Sequence, residues 1–527
     1  MAWKLRTQRS KAQLITNAQD GNCCEQTAVK DIGSRSVVAV FWGGGGAIAR
    51  IVLQFGTQVV LARLLGPEQY GLFAIGAIVV SFSNFFADIG IAYGLIQKSE
   101  LADEDLRFVS TWQFLIGGTV SLVIALASTH IATFFGDPRS GPIVQGLAII
   151  CLVNAMAAPS LNMLKRKLDF KAIQVAQLTA YVVGYMAIGI PLALVGWQVW
   201  ALVIAWLAQS TVLLVLLYAF VKHPIRPLIW FADAGQLAKY GATVLTTNLV
   251  NWLINNVDKV VVGRVFNSKD IGLYATSYNM LYNPTSSLLG VLQPVFFSAS
   301  ARLSDEQARI AAGYRSLVGA ITLFILPAFV GLAVVSETFA LALYGNAWQD
   351  LGHTLRPLAL AMPLFLLWGM TTPLLWAGGG ASSEFKSQLP LAIVWLGVAW
   401  LTAKVSVLAV AWSVFGLFAC RFFVILRSAI RLLDISGRSL WLTARGGVLL
   451  SILAGAVLWV ADQVQRFLLW PSMAQLAFNV VVGVITVIGT LWLIPALISP
   501  DLQPLIEKIA AKLPHPIASR LQRLHKR

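Results

Sequence analysis

The chain has 527 residues, of which 57% are hydrophobic and only 12% charged, whereas soluble domains are nearer half apolar and a quarter charged. Its apolar residues gather into runs long enough to span a bilayer, which excludes a water-soluble enzyme or binding module. The net charge of +16 fits the basic cytoplasmic loops of a membrane protein and gives no reason to expect nucleic acid as a partner.

Residues 1–36 are polar and basic and precede the first apolar run, so no secretory signal is expected and this segment reads as a cytoplasmic tail. Apolar runs bounded by charged or Pro/Gly-containing breaks then predict helices near 37–62, 70–96, 108–135, 143–163, 174–195 and 197–221, a first six-helix lobe over 37–221. A basic linker, 222–239, leads to runs near 240–263, 272–298, 316–335, 354–377, 388–403 and 406–427, a second lobe over 240–433. Runs near 446–461 and 474–497, within an extra pair of helices over 446–497, complete about fourteen, and 498–527 is a second basic tail. The fold class expected is all-α integral membrane, with two pseudo-symmetric six-helix lobes and two C-terminal helices. Cys23 and Cys24 lie in the tail and Cys151 and Cys420 in apolar runs, which indicates neither a disulfide framework nor a metal site.

Orientation follows from charge. With the N-terminus inside, Lys and Arg favour the cytoplasmic segments by about four to one, the bias that sets topology in membrane proteins. The densest internal cluster, Lys165, Arg166, Lys167 and Lys171, then falls inside, and both termini are cytoplasmic.

An internal repeat sharpens the two-lobe reading. Val59–Ala74 (VVLARLLGPEQYGLFA) aligns without gaps to Val260–Ala275 (VVVGRVFNSKDIGLYA), with Arg63 on Arg264 and Gly71 on Gly272. Both copies fall at the outer end of the first helix of a lobe. Because six helices per repeat is an even number, the copies share one orientation about an axis along the membrane normal, as in two-lobed transporters.

Polar residues inside the spans are the candidates for function, because an intramembrane charge costs at least about 2.5–3.5 kcal/mol and normally faces the bundle interior, a partner or water. In the seventh helix Asn248, Asn251, Asn255, Asp258 and Lys259 form one stripe at helical spacing, and the repeat sets Arg50, Gln54, Thr57 and Gln58 of the first helix opposite Asn251, Asn255, Asp258 and Lys259. Such stripes either join helices through hydrogen bonds or line a hydrated cavity between the lobes, and their length in both repeats favours the cavity. Asn84 and Asp88, four apart in the second helix, are a further pair, although Asp88 before Gly90 also suits a helix break. Arg421, alone in its span, suits packing or snorkelling better than a ligand role. Tyr274, Tyr278 and Tyr282 recur every four residues, a pattern commoner in packing stripes than in sugar platforms. The run Gly43–Gly46 lacks the Lys-Ser/Thr of a P-loop. No nucleotide, metal or nucleophile motif appears, so neither catalysis nor a cofactor is expected.

LARLLGPEQYGLFA at 61–74, FADIGI at 86–91, NNVDKVVVGRVFNSKDIGLYA at 255–275 and LQPVFFSASARLSDEQARI at 292–310 together resemble the Wzx-type polysaccharide flippases of the multidrug/oligosaccharidyl-lipid/polysaccharide exporter superfamily. The resemblance covers roughly residues 35–430. It implies two six-helix lobes around a central cavity in a bacterial inner membrane, and as substrate an undecaprenyl-diphosphate-linked oligosaccharide repeat unit carried to the outer leaflet for lipopolysaccharide or exopolysaccharide synthesis. It implies further that Arg50 and Lys259, with less weight on Arg421, hold the diphosphate or acidic sugars, and it makes a polysaccharide polymerase and chain-length proteins candidate partners alongside membrane lipids. The cavity cations are fewer than a lipid II flippase is expected to have. The competing reading is a drug or ion antiporter of the same superfamily, with Asp88 or Asp258 binding a proton or sodium ion. A membrane ligase is disfavoured by the short outer loops.

Overall fold

The computed structural model describes residues 50–82, 101–224, 226–231, 252–302, 307–377 and 381–502. Its first helical stretch, Arg50–Phe82, folds back on itself at Gly66, whose φ of 76° lies in the left-handed region that glycine enters without steric penalty. Pro67 then opens the second arm with its φ already fixed near the helical value. The hydroxyl of Tyr70 reaches back across this turn and donates to the Gln58 carbonyl at 3.3 Å. The two arms are α1 (50–65) and α2 (67–82).

The first lobe continues with α3 (Asp103–Phe135), α4 (Ser140–Arg166), α5 (Phe170–Leu194) and α6 (Val199–Phe220). The second is built from α7 (252–265), α8 (Ser268–Arg302), α9 (Gln307–Val334), a short α10 (Ser336–Tyr344), α11 (Leu351–Ala377), α12 (Ala381–Ala403) and α13 (Val407–Leu433). The extra pair is α14 (Gly437–Phe467) and α15 (Ser472–Leu493). With the nine-residue α10, too short to span a bilayer, set aside, the described residues carry six, six and two helices, the architecture that patterning predicts.

Among the described residues ten helical stretches, α1 and α2 counted as one, are long and apolar enough to cross a membrane. α8 is not among them despite its 35 residues, because its Asn, Ser and Tyr residues serve the interior and lower its hydropathy. α14 begins well before the apolar run near 446, because Ser436 accepts a hydrogen bond from the Ser439 amide at 3.1 Å and caps the helix there. The faces turned away from the bundle are hydrocarbon, as on α15, where Ile485 and Ile488 are exposed and have lipid as their natural solvent.

The lobes meet where the repeat predicted equivalence. A β-carbon on Gly71 would lie 1.6 Å from the Ser268 carbonyl oxygen, and one on Gly272 would lie 1.9 Å from the Pro67 carbonyl oxygen. Each copy of the repeat therefore packs its glycine on the backbone of the other copy's first turn. Trp348, fully buried, donates its indole N–H to the Ala62 carbonyl at 2.9 Å across the same junction.

Beside it, the Asp137 carboxylate accepts from Arg139 at 2.9 Å and from the hydroxyl of Ser268 in the other lobe. The Arg139 hydrogen bond, opposed by partial burial and aided by Ser268, holds the Asp137 carboxyl below the ordinary aspartate value. A depressed folded-state value means that the contribution is complete above the unfolded pKa of about 3.9 and is lost as pH falls through the folded value. Acid titration of the purified protein's melting temperature should therefore show a fall below about pH 4 that is smaller in Asp137→Asn. Parallel acid profiles for the two proteins would exclude this contribution.

Candidate functional site

Between the lobes lies a cavity of about 410 Å³ whose lining mixes amides and tyrosines with apolar side chains such as Phe73, Leu202 and Trp206. α1 supplies Gln54 and Gln58, α5 supplies Tyr181 and Tyr185, and α8 of the second lobe supplies Asn279 and Asn283. The pairs 54/58, 181/185 and 279/283 are each four residues apart, so each puts both side chains on one helical face. Amides offer donors and acceptors together, while Tyr181 and Tyr185 stack with ring centroids 4.9 Å apart. Hydroxylated, uncharged ligand surfaces suit such a lining.

The other sequence-predicted residues of α1 continue this wall. Thr57 is buried and hydrogen-bonded to Tyr181. Arg50, one turn before Gln54, donates to the Gln177 carboxamide, and Gln177 lies one turn before Tyr181 on α5. Arg50, Gln54 and Thr57 are thus brought together, with a cation at one end of the amide wall.

The α7 stripe is placed differently. Asn255 accepts from the Arg421 guanidinium at 3.2 Å, and Arg421 also donates through Nε to Gln388 Oε1 at 3.0 Å and lies 3.7 Å from the centroid of the Trp368 ring. One turn beyond Asn255, Lys259 donates to Asn256 at 3.0 Å and sits 4.0 Å from the Tyr278 ring centroid. Asp258 accepts from the Tyr274 hydroxyl at 2.5 Å and interacts electrostatically with the neighbouring Lys259. Tyr274, Tyr278 and Tyr282 form a stacked column with centroid spacings of 6.4 and 5.2 Å. The first two are buried, which makes them a packing column. The stripe thus turns toward its own lobe, and the wall facing α1 comes from α8.

Arg421 is 2% exposed, so it packs in the interior and does not snorkel. Asn84, Asp88, Asn251 and the run Gly43–Gly46 lie outside the described residues. Sequence reasoning passed over Gln177, Gln209, Asn279, Asn283, Gln388 and Trp368. The signal for most of them was an amide inside an apolar run, the same signal that singled out Gln54. Two N–H groups next to Arg421, Gln388 Nε2 and Trp368 Nε1, are buried with no acceptor among the described residues. Together with the guanidinium they make a corner of donors, a lining suited to an anionic oxygen. A roomier groove of about 720 Å³ also lies between the lobes, walled by α2, α3, α7 and Leu396 of α12, but its lining is almost wholly hydrocarbon and suits lipid chains.

Comparison with known proteins adds to this geometry. The model of a family described as polysaccharide biosynthesis protein matches residues 60–352. The lipopolysaccharide biosynthesis protein WzxC of Escherichia coli (strain K12) is 23% identical over 332 residues, covering 62% of this chain and 66% of that protein. The succinoglycan biosynthesis transport protein ExoT of Rhizobium meliloti (strain 1021) is 22% identical over 382 residues, covering 69% and 76%. Among solved structures, the lipid II flippase MurJ in its inward closed conformation superposes with a TM-score of 0.68 at 12% identity, covering 86% of this chain and 99% of that one, which establishes a shared fold.

Proposed function

Because the chain belongs to the polysaccharide biosynthesis protein family, we propose that it moves lipid-linked oligosaccharide repeat units across the bacterial inner membrane by alternating access, with both termini in the cytoplasm. The observation that carries this reading is the amide- and tyrosine-bearing cavity between two lobes of a helical membrane protein. A sugar chain presents hydroxyls and flat apolar faces, which amides and aromatic rings match, while the lipid tail remains among hydrocarbon surfaces. The relatives named for lipopolysaccharide biosynthesis and succinoglycan transport support the substrate class, which we take to be a polyprenyl-diphosphate-linked oligosaccharide. The antiporter reading loses support from Asp258, whose carboxylate is engaged by Tyr274.

In this reading Arg50, at one end of the amide wall, meets the anionic head group, while Lys259, expected from the resemblance to share that role, faces its own lobe. Lys259 adjoins the buried Asp258, whose negative charge it offsets, so its removal should cost protein as well as export, because it leaves a buried acid without its neighbouring cation. Arg50→Ala should accumulate in the membrane near the normal level while surface-polysaccharide production falls at least tenfold in a strain lacking the native gene, whereas Lys259→Ala should lose protein as well and Lys259→Arg should retain much of both. Normal polysaccharide from Arg50→Ala would remove this cation from the mechanism, and normal abundance of Lys259→Ala would show that Asp258 does not depend on it. Failure of the unmodified chain to restore polysaccharide would overturn the flippase reading.

A further inference from the structure

Of the residues shared by the two copies of the repeat, Ala74 and Ala275 line the cavity, but Arg63, Arg264, Gly71 and Gly272 do not, and these four lie at the junction of the lobes. Pro67 and Ser268 are equivalent positions, as are Gly71 and Gly272, and the contacts exchange between them: Gly71 rests on the Ser268 carbonyl and Gly272 on the Pro67 carbonyl. The arginines exchange as well. Arg63 of the first lobe donates from Nε to the Leu343 carbonyl and from its terminal nitrogen to the Ala342 carbonyl, at the C-terminal end of α10 in the second lobe. Arg264 of the second lobe lies over the Phe134 ring of the first at 5.5 Å.

We propose that the internal repeat forms the gate on the side of the membrane where α1 meets α2 and α7 meets α8. Each copy closes on the other through a glycine seated on a backbone carbonyl and an arginine reaching across. The inference rests on the alternating-access reading and identifies the parts that shut this side.

The physical argument turns on contact distance. Carbon and oxygen settle near 3.5 Å or beyond, so any β-carbon at Gly71 or Gly272 would hold the two helix starts apart, and only a bare backbone permits the closed junction. Helix-end carbonyls have no intrahelical donors, so Arg63 satisfies two of them when the junction is shut and water can satisfy them when it opens. Such contacts let the gate release without leaving buried polar groups stranded. This arrangement also accounts for the match of Arg63 with Arg264 and of Gly71 with Gly272, which the packing of either lobe alone would not demand.

The test uses the purified full chain with its four cysteines replaced and spin labels at Glu68→Cys and Lys269→Cys. These are equivalent, exposed positions on opposite lobes beside the junction. Pulsed electron paramagnetic resonance on the unmodified junction should give a short-distance population. Gly71→Ala with Gly272→Ala should move it outward by at least about 2 Å, the displacement that restores ordinary contact, and surface-polysaccharide production should fall at least tenfold. Arg63→Gln with Arg264→Gln, which places no new atom in the junction, should enlarge the long-distance population and provides the readout if the alanine pair does not fold. Unchanged distances in every pair that folds would overturn the gate, as would a lengthened distance with undiminished export. Absence of export from the unmodified chain would instead count against the flippase reading, with the distance measurement still deciding whether the repeat closes this side.

Discussion

Arg421→Ala should remove most of the protein from the membrane. The guanidinium is 2% exposed and joins three helices, α7 through Asn255, α12 through Gln388 and α11 through Trp368. Hydrogen bonds to a charged group contribute about 1.5–3 kcal/mol each, and a desolvated cation over an indole adds roughly 1–2 kcal/mol. Truncation also leaves the Asn255 and Gln388 oxygens buried without these donors, so the loss should be at least about 3 kcal/mol, a large fraction of a typical stability. Arg421→Lys keeps the charge but loses the planar fork that meets both amides, and should fall between the two. Membrane abundance and the melting temperature of purified protein measure this directly. An Arg421→Ala protein that accumulates and melts like the unmodified chain, yet fails in export, would mean that the side chain serves an anionic ligand and is not needed for packing.

Much of the architecture was legible in the sequence because the bilayer imposes a coarse rule: every span must be apolar, long and internally hydrogen-bonded. That rule finds α3, α4 and α6 directly. It works less well for α8, whose polar residues serve the cavity, and for the start of α14, where a serine cap extends the helix into a polar stretch. The repeat located the two lobes, and equivalence at Gly71 and Gly272 foreshadowed a symmetric contact. The site was only half legible. Periodicity put Arg50, Gln54 and Thr57 on one face of α1, and of these Gln54 lines the cavity, but periodicity cannot say which helix of the other lobe stands opposite. Offset by the repeat, α7 was the expected facing wall. The cavity is faced by Asn279 and Asn283 of α8, because Lys259 and Asp258 are satisfied within their own lobe by Tyr278, Asn256 and Tyr274. The Gln388 and Trp368 contacts to Arg421 span long sequence separations that no local pattern reports.

The second large effect is expected at Asp462, which fastens the two extra helices to the rest of the bundle. Its carboxylate is 2% exposed and accepts from Thr338 of α10 at 2.6 Å, from Asn479 of α15 at 3.0 Å and from Arg466, one turn along α14, at 2.8 Å. Arg466 continues to Glu337 at 2.7 Å, and Glu337 takes Arg356 of α11 at 3.0 Å. One buried carboxylate therefore closes a network across four helices. Asp462→Ala leaves two neutral donors and one face of the guanidinium without an acceptor, and breaking such a buried charged contact typically costs about 3–5 kcal/mol. Glu337→Gln, at a site 25% exposed, should cost much less, because water can replace the lost contact and the median value of exposed pairs is about 0–1 kcal/mol. The loss at Asp462 should also be local: hydrogen exchange should accelerate in the amides of α14 and α15 while α11, packed in the second lobe, remains protected. Equal acceleration throughout would mean that the extra pair is part of one cooperative unit with the lobe. Unchanged exchange in Asp462→Ala would show that apolar packing of α9 against α14 holds the pair in place and that the carboxylate is dispensable.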